Sequence, residues 1–246
     1  MMRDLTAIPP VAATRRFAYG ADPNQFFDLF EAPQAPRATL MFIHGGFWRA
    51  KYDLSHASHL CAALAQSGID VLNVEFRRVG NSGGGWPGSF EDVTLALATI
   101  RERFPGPPLI VSGHSAGGHL ALRLACEQST VVGVVALAPV AVLRDAYDLH
   151  LSNDAVVEFL GGTPDRLPRV YDEACPSKHS LKIPGTVIHG IDDDVVPISL
   201  SRNYTKARAQ NGVHLLELTA AGHMDLIDPE SPAFDSVAAT IHDLLR

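Results

Sequence analysis

Short apolar segments alternate with longer amphipathic segments from about residue 39 onward. This alternation is typical of repeated βαβ units, and several short segments are apolar throughout, as expected for strands covered on both faces. The predicted strands are 39–43, 69–74, 109–112, 131–138, 186–188 and 214–218. The predicted helices are 54–66, 90–103, 116–128, 199–210 and 232–245. The pattern predicts an α/β fold with a mostly parallel central sheet and helices on both faces.

Two regions depart from this alternation. Segments 16–19 and 25–30 flank a turn-rich link at 20–24, which predicts an antiparallel hairpin at the N-terminal edge of the sheet. Residues 139–182 fit neither periodicity and contain one predicted short helix near 154–160. Such excursions usually cover a functional site, so we expect a short cap-like excursion and a minimal lid. No repeat or linker divides the chain, and we expect residues 1–246 to form a single domain.

Composition limits the classes of function. The chain has 246 residues, 46% of them hydrophobic, and a formal net charge of −7, which argues against a nucleic-acid partner. Its three cysteines, Cys61, Cys126 and Cys175, are too few for a disulfide framework and favour a reducing compartment. No apolar run approaches the roughly 18 residues that span a bilayer. We therefore expect a cytoplasmic protein without a membrane partner.

The segment GHSAG at 113–117 fits the G-x-S-x-G pattern of a nucleophile elbow. In such an elbow, a serine lies on a sharp turn between a strand and a helix. The apolar segment LIVS leads into this turn and an amphipathic segment leads out of it. Ser115 is therefore the candidate nucleophile, and a glycine-rich turn with an idle serine is the alternative.

A serine hydroxyl group is a poor nucleophile at neutral pH. It therefore needs a base whose pKa lies near the working pH and an acidic group that orients this base. In folds that carry such an elbow, the order along the chain is serine, acidic residue, histidine. The adjacent residues Asp192, Asp193 and Asp194 follow the predicted strand at 186–188, and His223 follows the strand at 214–218. Catalytic groups collect beyond the carboxyl ends of parallel strands. We predict that His223 is the base and that one of these aspartates orients it.

The segment HGGFW at 44–48 follows the first predicted parallel strand. Such a loop supplies a backbone N–H group to a developing oxyanion, and the residue after the nucleophile supplies another. The predicted oxyanion hole consists of Gly45, Gly46 and Ala116. The predicted substrate-binding residues are Phe47, Trp48, Trp86 and His114, with core packing as the alternative for the aromatic residues. We expect no metal and no cofactor.

Together these segments resemble the α/β-hydrolase superfamily, and in particular its HGGxW branch of kynurenine formamidases (arylformamidases) and small-ester carboxylesterases. The resemblance runs from about residue 17 onward and rests on HGGFW, GHSAGGHLAL, HGIDDDVVP and AGHMD. The spacing HG-x-x-D-x-x-VP assigns the orienting role to Asp193. One departure is Cys175, where relatives often have serine, and we expect this cysteine to be buried and inert.

The resemblance implies a serine hydrolase that cleaves small acyl ester or aryl-formamide bonds, with Ser115, His223 and Asp193 as its triad. The residues do not decide between ester and formamide, and they leave open whether Arg77 or Arg78 contacts the substrate. A prolyl-oligopeptidase-like peptidase and a non-catalytic binding module on the same fold are the alternatives. The first normally needs an additional domain, and the second is expected to lose a triad residue. Homodimer formation is left open.

Overall fold

The computed structural model describes residues 3–208 and 212–246. Within them, one sheet has the strand order β1-β2-β4-β3-β5-β6-β7-β8. The strands are β1 (Arg15–Ala18), β2 (Phe26–Phe30), β3 (Thr39–Ile43), β4 (Asp70–Val74), β5 (Leu109–His114), β6 (Gly133–Leu137), β7 (Gly185–Gly190) and β8 (Val213–Leu218). Strand β2 pairs antiparallel with β1 and with β4, and the other neighbours are parallel. The predicted mostly parallel sheet with an antiparallel edge hairpin is confirmed.

The helices of the described residues are α1 (Ser58–Gln66), α2 (Gly88–Arg103), α3 (Ala116–Ala125), α4 (Leu143–Asp148), α5 (Ala155–Leu160), α6 (Pro168–Ala174), α7 (Ser199–Arg208) and α8 (Ala233–Asp243). Six of these eight helices lie near predicted positions, and α4 and α6 were not predicted. The predicted helix at 54–66 is divided, because Leu54–Ala57 forms a 3-10 turn before α1. The last two residues predicted for α7 lie outside the described residues.

Helices pack on both faces of the sheet. Successive side chains of a strand point to opposite faces, and β3 shows this directly. Met41 and Ile43 belong to the hydrophobic cluster that contains residues of α2 and α3, whereas Leu40 and Phe42 belong to the cluster that contains residues of α1 and α8. Every residue of β3 is buried. The sheet is therefore the middle of three layers, as the apolar strands predict.

The register places the carboxyl ends of the central strands side by side. Ile43 of β3 is opposite Gly113 of β5, and Gly113 is opposite Ala136 of β6. Val187 of β7 continues this row and pairs with Leu215 of β8. The segments that follow these residues in the chain consequently emerge at one edge of the sheet.

The excursion at 139–182 contains three short helices, α4, α5 and α6, where one was predicted. Helices of six or seven residues make too few turns to show a clear amphipathic period, which explains why α4 and α6 were missed. Glu158 of α5 holds the excursion to the segment after β3, because its Oε2 lies 2.7 Å from Nε of Arg49. Within the described residues, no helix is both long enough and apolar enough to cross a membrane.

Candidate active site

Ser115 occupies a sharp turn between β5 and α3. Its backbone has φ 56° and ψ −118°, a conformation that is strained for a residue with a side chain. The two glycines of the motif make this turn feasible, since a Cβ atom at Gly117 would overlap the carbonyl oxygens of Ile43 and His44. The N–H group of Ser115 donates to the carbonyl oxygen of Leu137 at 2.8 Å. Neighbouring backbone therefore holds the serine at the carboxyl edge of the sheet.

Asp193 and His223 meet at this same edge. Asp193 follows β7 and His223 follows β8, and Nδ1 of His223 lies 2.7 Å from Oδ2 of Asp193. The other carboxylate oxygen, Oδ1, accepts the N–H groups of Val195 at 2.9 Å and Val196 at 2.8 Å. Burial opposes ionisation here, but hydrogen bonds from His189 and His223 outweigh it and hold the pKa of Asp193 well below its ordinary value. Asp193 is thus an ionised acceptor for the imidazole.

His189 is a site residue that the sequence reasoning missed. Its Nε2 lies 3.2 Å from Oδ2 of Asp193 and 2.9 Å from the carbonyl oxygen of Val196. Both of these atoms accept hydrogen bonds, so Nε2 carries a proton. Nδ1 lies 2.6 Å from the hydroxyl oxygen of Ser201 on α7, which donates to it. His189 therefore supports the same carboxylate oxygen that accepts the hydrogen bond from His223. Its available signal was its place in HGIDDDVVP.

Ser115 and His223 line one cavity of about 240 Å³. Three other predicted site residues, Gly46, Phe47 and His114, line it as well. The cavity also has lining residues that the sequence motifs did not indicate, namely Asp4, Thr6, Tyr52, His56, Val195 and Met224. Nε2 of His114 donates to the carbonyl oxygen of His223 at 3.0 Å. His114 therefore ties the loop that carries His223 to the end of β5.

The predicted oxyanion residues surround Ser115. A Cβ atom at Gly45 would lie 3.1 Å from Cβ of Ser115, so glycine permits the close approach of this loop. Gly46 has φ +109°, a conformation that favours glycine. Ala116 is the first residue of α3, so its N–H group has no partner within the helix. These placements are compatible with backbone donors beside the serine.

A buried polar network supports the same loop. Nδ1 of His44 lies 2.7 Å from the carbonyl oxygen of Gly45, and Nε2 lies 2.9 Å from Oε1 of Glu75. Glu75 also pairs with Arg78, whose Nη1 lies 3.0 Å from the same oxygen. The guanidinium group of Arg78 is therefore already paired with the Glu75 carboxylate inside the protein. This pairing argues against a contact between Arg78 and an acidic substrate.

The structure corrects the role predicted for the two tryptophans. Trp48 is 1% exposed and stacks on Phe159, and Trp86 is half-buried and stacks on Phe90. Neither of them lines the cavity at Ser115. Both therefore pack in the core, which was the alternative given for the aromatic residues. Arg77 is engaged in a similar way, because its Nη2 lies 2.6 Å from Oδ1 of Asp92.

The cysteines are free and buried, as expected for Cys175. Its thiol lies among the backbone atoms of Ala141 and Leu143 and the hydroxyl group of Ser177. Among the residues that the structure describes, no three His, Cys, Asp or Glu side chains are grouped so that they could hold a metal ion.

The architecture and the elbow agree with a comparison against protein families. A family model described as serine aminopeptidase, S33, matches residues 34–167, more than half of the chain. The chain belongs to the α/β-hydrolase superfamily. This confirms the resemblance seen in the sequence motifs.

Individual relatives of this chain are named as esterases and as a formamidase. It is 31% identical over 253 residues to esterase LipC of Mycobacterium tuberculosis, a match that covers 87% of this chain and 60% of LipC. It is 22% identical over 124 residues to a kynurenine formamidase of Meyerozyma guilliermondii, covering 50% of this chain and 47% of the relative. The chain thus spans at most 60% of the length of these two curated relatives.

A solved structure shares the fold over almost the whole chain. The truncated form of a carbohydrate esterase from gut microbiota superposes with a TM-score of 0.80 and 19% sequence identity. The match covers 97% of this chain and 99% of that one. At this identity the likeness supports the α/β-hydrolase fold and says nothing about substrate.

Proposed function

We propose that the chain is a serine esterase that cleaves small acyl esters, with Ser115 as nucleophile, His223 as base and Asp193 as the residue that orients it. The observation that carries this proposal is the 2.7 Å contact between His223 and Asp193, next to a cavity lined by both His223 and Ser115. The strained backbone of Ser115 adds support, because nucleophile elbows expose their serine in this way. The esterase relatives agree with this chemistry.

The proton pathway follows from the hydrogen bond to Asp193. This carboxylate accepts the Nδ1–H group of His223, so the Nε2 atom of His223 takes the proton from Ser115. The serine oxygen then bonds to the acyl carbon and displaces the alcohol, which leaves with the proton from His223. In the second half, His223 removes a proton from water, whose oxygen bonds to the acyl carbon. The bond from this carbon to the Ser115 oxygen then breaks, the serine oxygen takes the proton from His223, and the carboxylic acid leaves.

Negative charge develops on the carbonyl oxygen in both halves of the reaction. The proposed donors are the backbone N–H groups of Gly45, Gly46 and Ala116. Removing one oxyanion donor typically costs about 2.7 to 4 kcal/mol of transition-state stabilisation. The glycine loop and the N-terminus of α3 therefore carry a large share of the proposed catalysis.

The size of the cavity supports small substrates. Its volume of about 240 Å³ lies below the usual range for drug-sized ligands, roughly 300 to 1,000 Å³. Apolar side chains of Phe47, Val195 and Met224 form part of its lining and suit a short acyl chain. We therefore propose short-chain rather than long-chain esters.

Aryl formamides are the second candidate substrates. The observations in their favour are the HGGFW segment and the match to a kynurenine formamidase over half of the chain. Ester and formamide hydrolysis pass through the same oxyanion and need the same three side chains. The contacts of the triad therefore do not separate them.

A direct comparison of substrates tests the proposal. We would measure kcat/KM for p-nitrophenyl acetate and butyrate, N-formylkynurenine and an aminoacyl p-nitroanilide with one preparation of the enzyme. We expect the butyrate and acetate esters to be the best substrates. A preference for N-formylkynurenine by orders of magnitude would assign a formamidase, and a preference for the anilide would assign a peptidase. No turnover of any substrate by folded protein would favour a binding module.

A further inference from the structure

The N-terminal segment forms part of the wall of the proposed active site. Asp4 and Thr6 line the cavity together with Ser115 and His223. Leu5, between them, is 1% exposed and belongs to the hydrophobic cluster on the α1 and α8 face of the sheet. This anchor fixes the residues on either side of it.

Polar contacts hold the same segment at both of its ends. Nη1 of Arg3 lies 3.0 Å from Oδ1 of Asp228, in the loop before α8. Further along, the N–H group of Val11 donates to the hydroxyl oxygen of Ser58 at 3.0 Å. The segment is thus tied to two other parts of the fold, which holds its backbone beside the cavity.

Asp4 keeps its negative charge in this position. The hydroxyl group and the N–H group of Thr6 donate to its Oδ1 at 2.5 and 3.0 Å, and these bonds lower the pKa of Asp4. Among the described residues, no Lys, Arg or His nitrogen lies within ion-pair distance of this carboxylate. Within the described residues this charge is therefore not neutralised by an ion pair.

No Lys or Arg side chain in the described lining of the cavity offsets this charge. Asp4 is the only Asp, Glu, Lys or Arg residue among the described residues that line it. Burial lowers the pKa of His56 to about 4 and that of His114 well below its ordinary value, so both rings are neutral near pH 7. Two exposed residues of opposite charge adjoin the lining: Asp194 precedes Val195 in the chain, and Nζ of Lys51 lies 5.3 Å from the ring centroid of Tyr52.

We propose that Asp4 is a specificity-determining residue that makes the site prefer substrates with a cationic group over neutral ones, and neutral substrates over anionic ones. This inference rests on the proposed esterase function. Asp4 belongs to neither the elbow nor the triad. We therefore expect it to change how the rate depends on the charge of the substrate and to leave the chemistry of the ester bond unchanged. An attraction between two exposed charges is weak, so it should change kcat/KM for a charged substrate only about two- to fivefold. Salt screens this attraction.

Three acetate esters of similar shape test this preference. We would measure kcat/KM for the cationic 3-(trimethylammonio)phenyl acetate, the neutral 3-tert-butylphenyl acetate and the anionic 3-carboxyphenyl acetate. For each ester, the value for Asp4→Asn is divided by the wild-type value, so that differences in intrinsic reactivity cancel. We expect this ratio to fall about two- to fivefold for the cationic ester, to rise by a similar factor for the anionic ester and to stay near one for the neutral ester.

Two further variants sharpen the test. Asp4→Lys should shift the cationic and anionic ratios further in the same directions, and about 0.5 M salt should shrink both shifts. Glu102→Gln is the matched control, because it removes one exposed negative charge from the last turn of α2, before β5 begins at the opposite edge of the sheet. It should leave all three ratios near one.

The outcomes separate this inference from the proposed function. If wild-type protein hydrolyses the neutral ester but Asp4→Asn changes all three esters by the same factor, the inference is wrong and the esterase function stands. The same conclusion follows if Glu102→Gln reproduces the shifts. If folded wild-type protein hydrolyses none of the three esters, the proposed function fails and the inference falls with it.

Discussion

The rings of Trp48 and Phe159 stack with their centroids 4.4 Å apart and an interplanar angle of 12°. Trp48 belongs to the loop after β3 that carries the proposed oxyanion glycines, and Phe159 belongs to α5 of the excursion. The ring of His119 on α3 packs edge-on against Trp48 at 5.3 Å. This contact therefore joins the glycine loop, the excursion and the helix that follows the nucleophile.

Truncating this indole should weaken both the fold and the reaction. We expect Trp48→Ala to lower the free energy of unfolding by about 3 to 5 kcal/mol, as is usual for a buried aromatic residue replaced by alanine. The glycine loop also loses its support, so kcat for a p-nitrophenyl ester should fall more than KM changes. Urea unfolding and steady-state kinetics measure the two effects.

Two variants control this experiment. Trp48→Phe keeps an aromatic ring on Phe159 and should lose less stability than the alanine variant. Leu95→Ala removes a side chain that is 44% exposed on α2 and should change neither quantity. Wild-type stability and kcat in Trp48→Ala would show that the stacked pair supports neither the fold nor the loop.

Three consecutive aspartates allow a matched test of the orienting residue. Asp193 is buried and bonded to His223, whereas Asp192 and Asp194 are exposed. We expect Asp193→Asn to lower kcat roughly 10⁴-fold, because asparagine favours the wrong tautomer of the base. Asp192→Asn and Asp194→Asn carry the same change in charge and should stay near the wild-type kcat for a neutral ester. A larger loss of kcat in Asp192→Asn or Asp194→Asn than in Asp193→Asn would assign the orienting role to that residue instead.

Buried histidines should make the fold sensitive to acid. His119 is fully buried and burial lowers its pKa to about 4, from an ordinary value near 6.5. Between these pH values the unfolded chain binds more protons than the folded chain, so the free energy of unfolding falls as the pH drops from 6.5 to 4. Each such histidine contributes on the order of 1 kcal/mol per pH unit in this window.

Removing one of these groups should flatten the pH dependence. His119→Gln keeps an N–H donor for the carbonyl oxygen of Ala174 and removes the titration. The slope of unfolding free energy against pH gives the number of protons taken up on unfolding. We expect this number, measured by urea unfolding between pH 4.5 and 6, to fall by close to one in His119→Gln. Leu95→Ala changes an exposed side chain on α2 that does not titrate and should leave the slope unchanged. An unaltered slope in His119→Gln would contradict burial as the source of the effect.

The sequence predicted the layers of the fold because its strands are apolar on both faces and its helices are amphipathic. Those patterns depend on residues close together in the chain. The hairpin at the edge was also predictable from its turn-rich link. The sequence did not predict the 3-10 turn before α1, and it did not predict the helices α4 and α6. Helices this short make too few turns to show a clear period.

The site was predictable only where a motif carried it. Ser115, Asp193 and His223 stand in recognisable segments, and the structure brings the last two within hydrogen-bond distance. Asp4 reaches the cavity from the far end of the chain, with no local pattern to announce it. The packing of Trp48 against Phe159 depends on a contact between residues more than one hundred positions apart, so a tryptophan beside the glycines was equally compatible with a pocket.

The proposed function requires the hydroxyl group of Ser115 to form the acyl intermediate. The most direct measurement is the hydrolysis of p-nitrophenyl butyrate by wild-type protein and by Ser115→Ala, with circular dichroism to establish that both are folded. We expect the variant to fold and its kcat to fall by about 10⁴-fold or more. Hydrolysis at close to the wild-type rate by folded Ser115→Ala would contradict this role of Ser115.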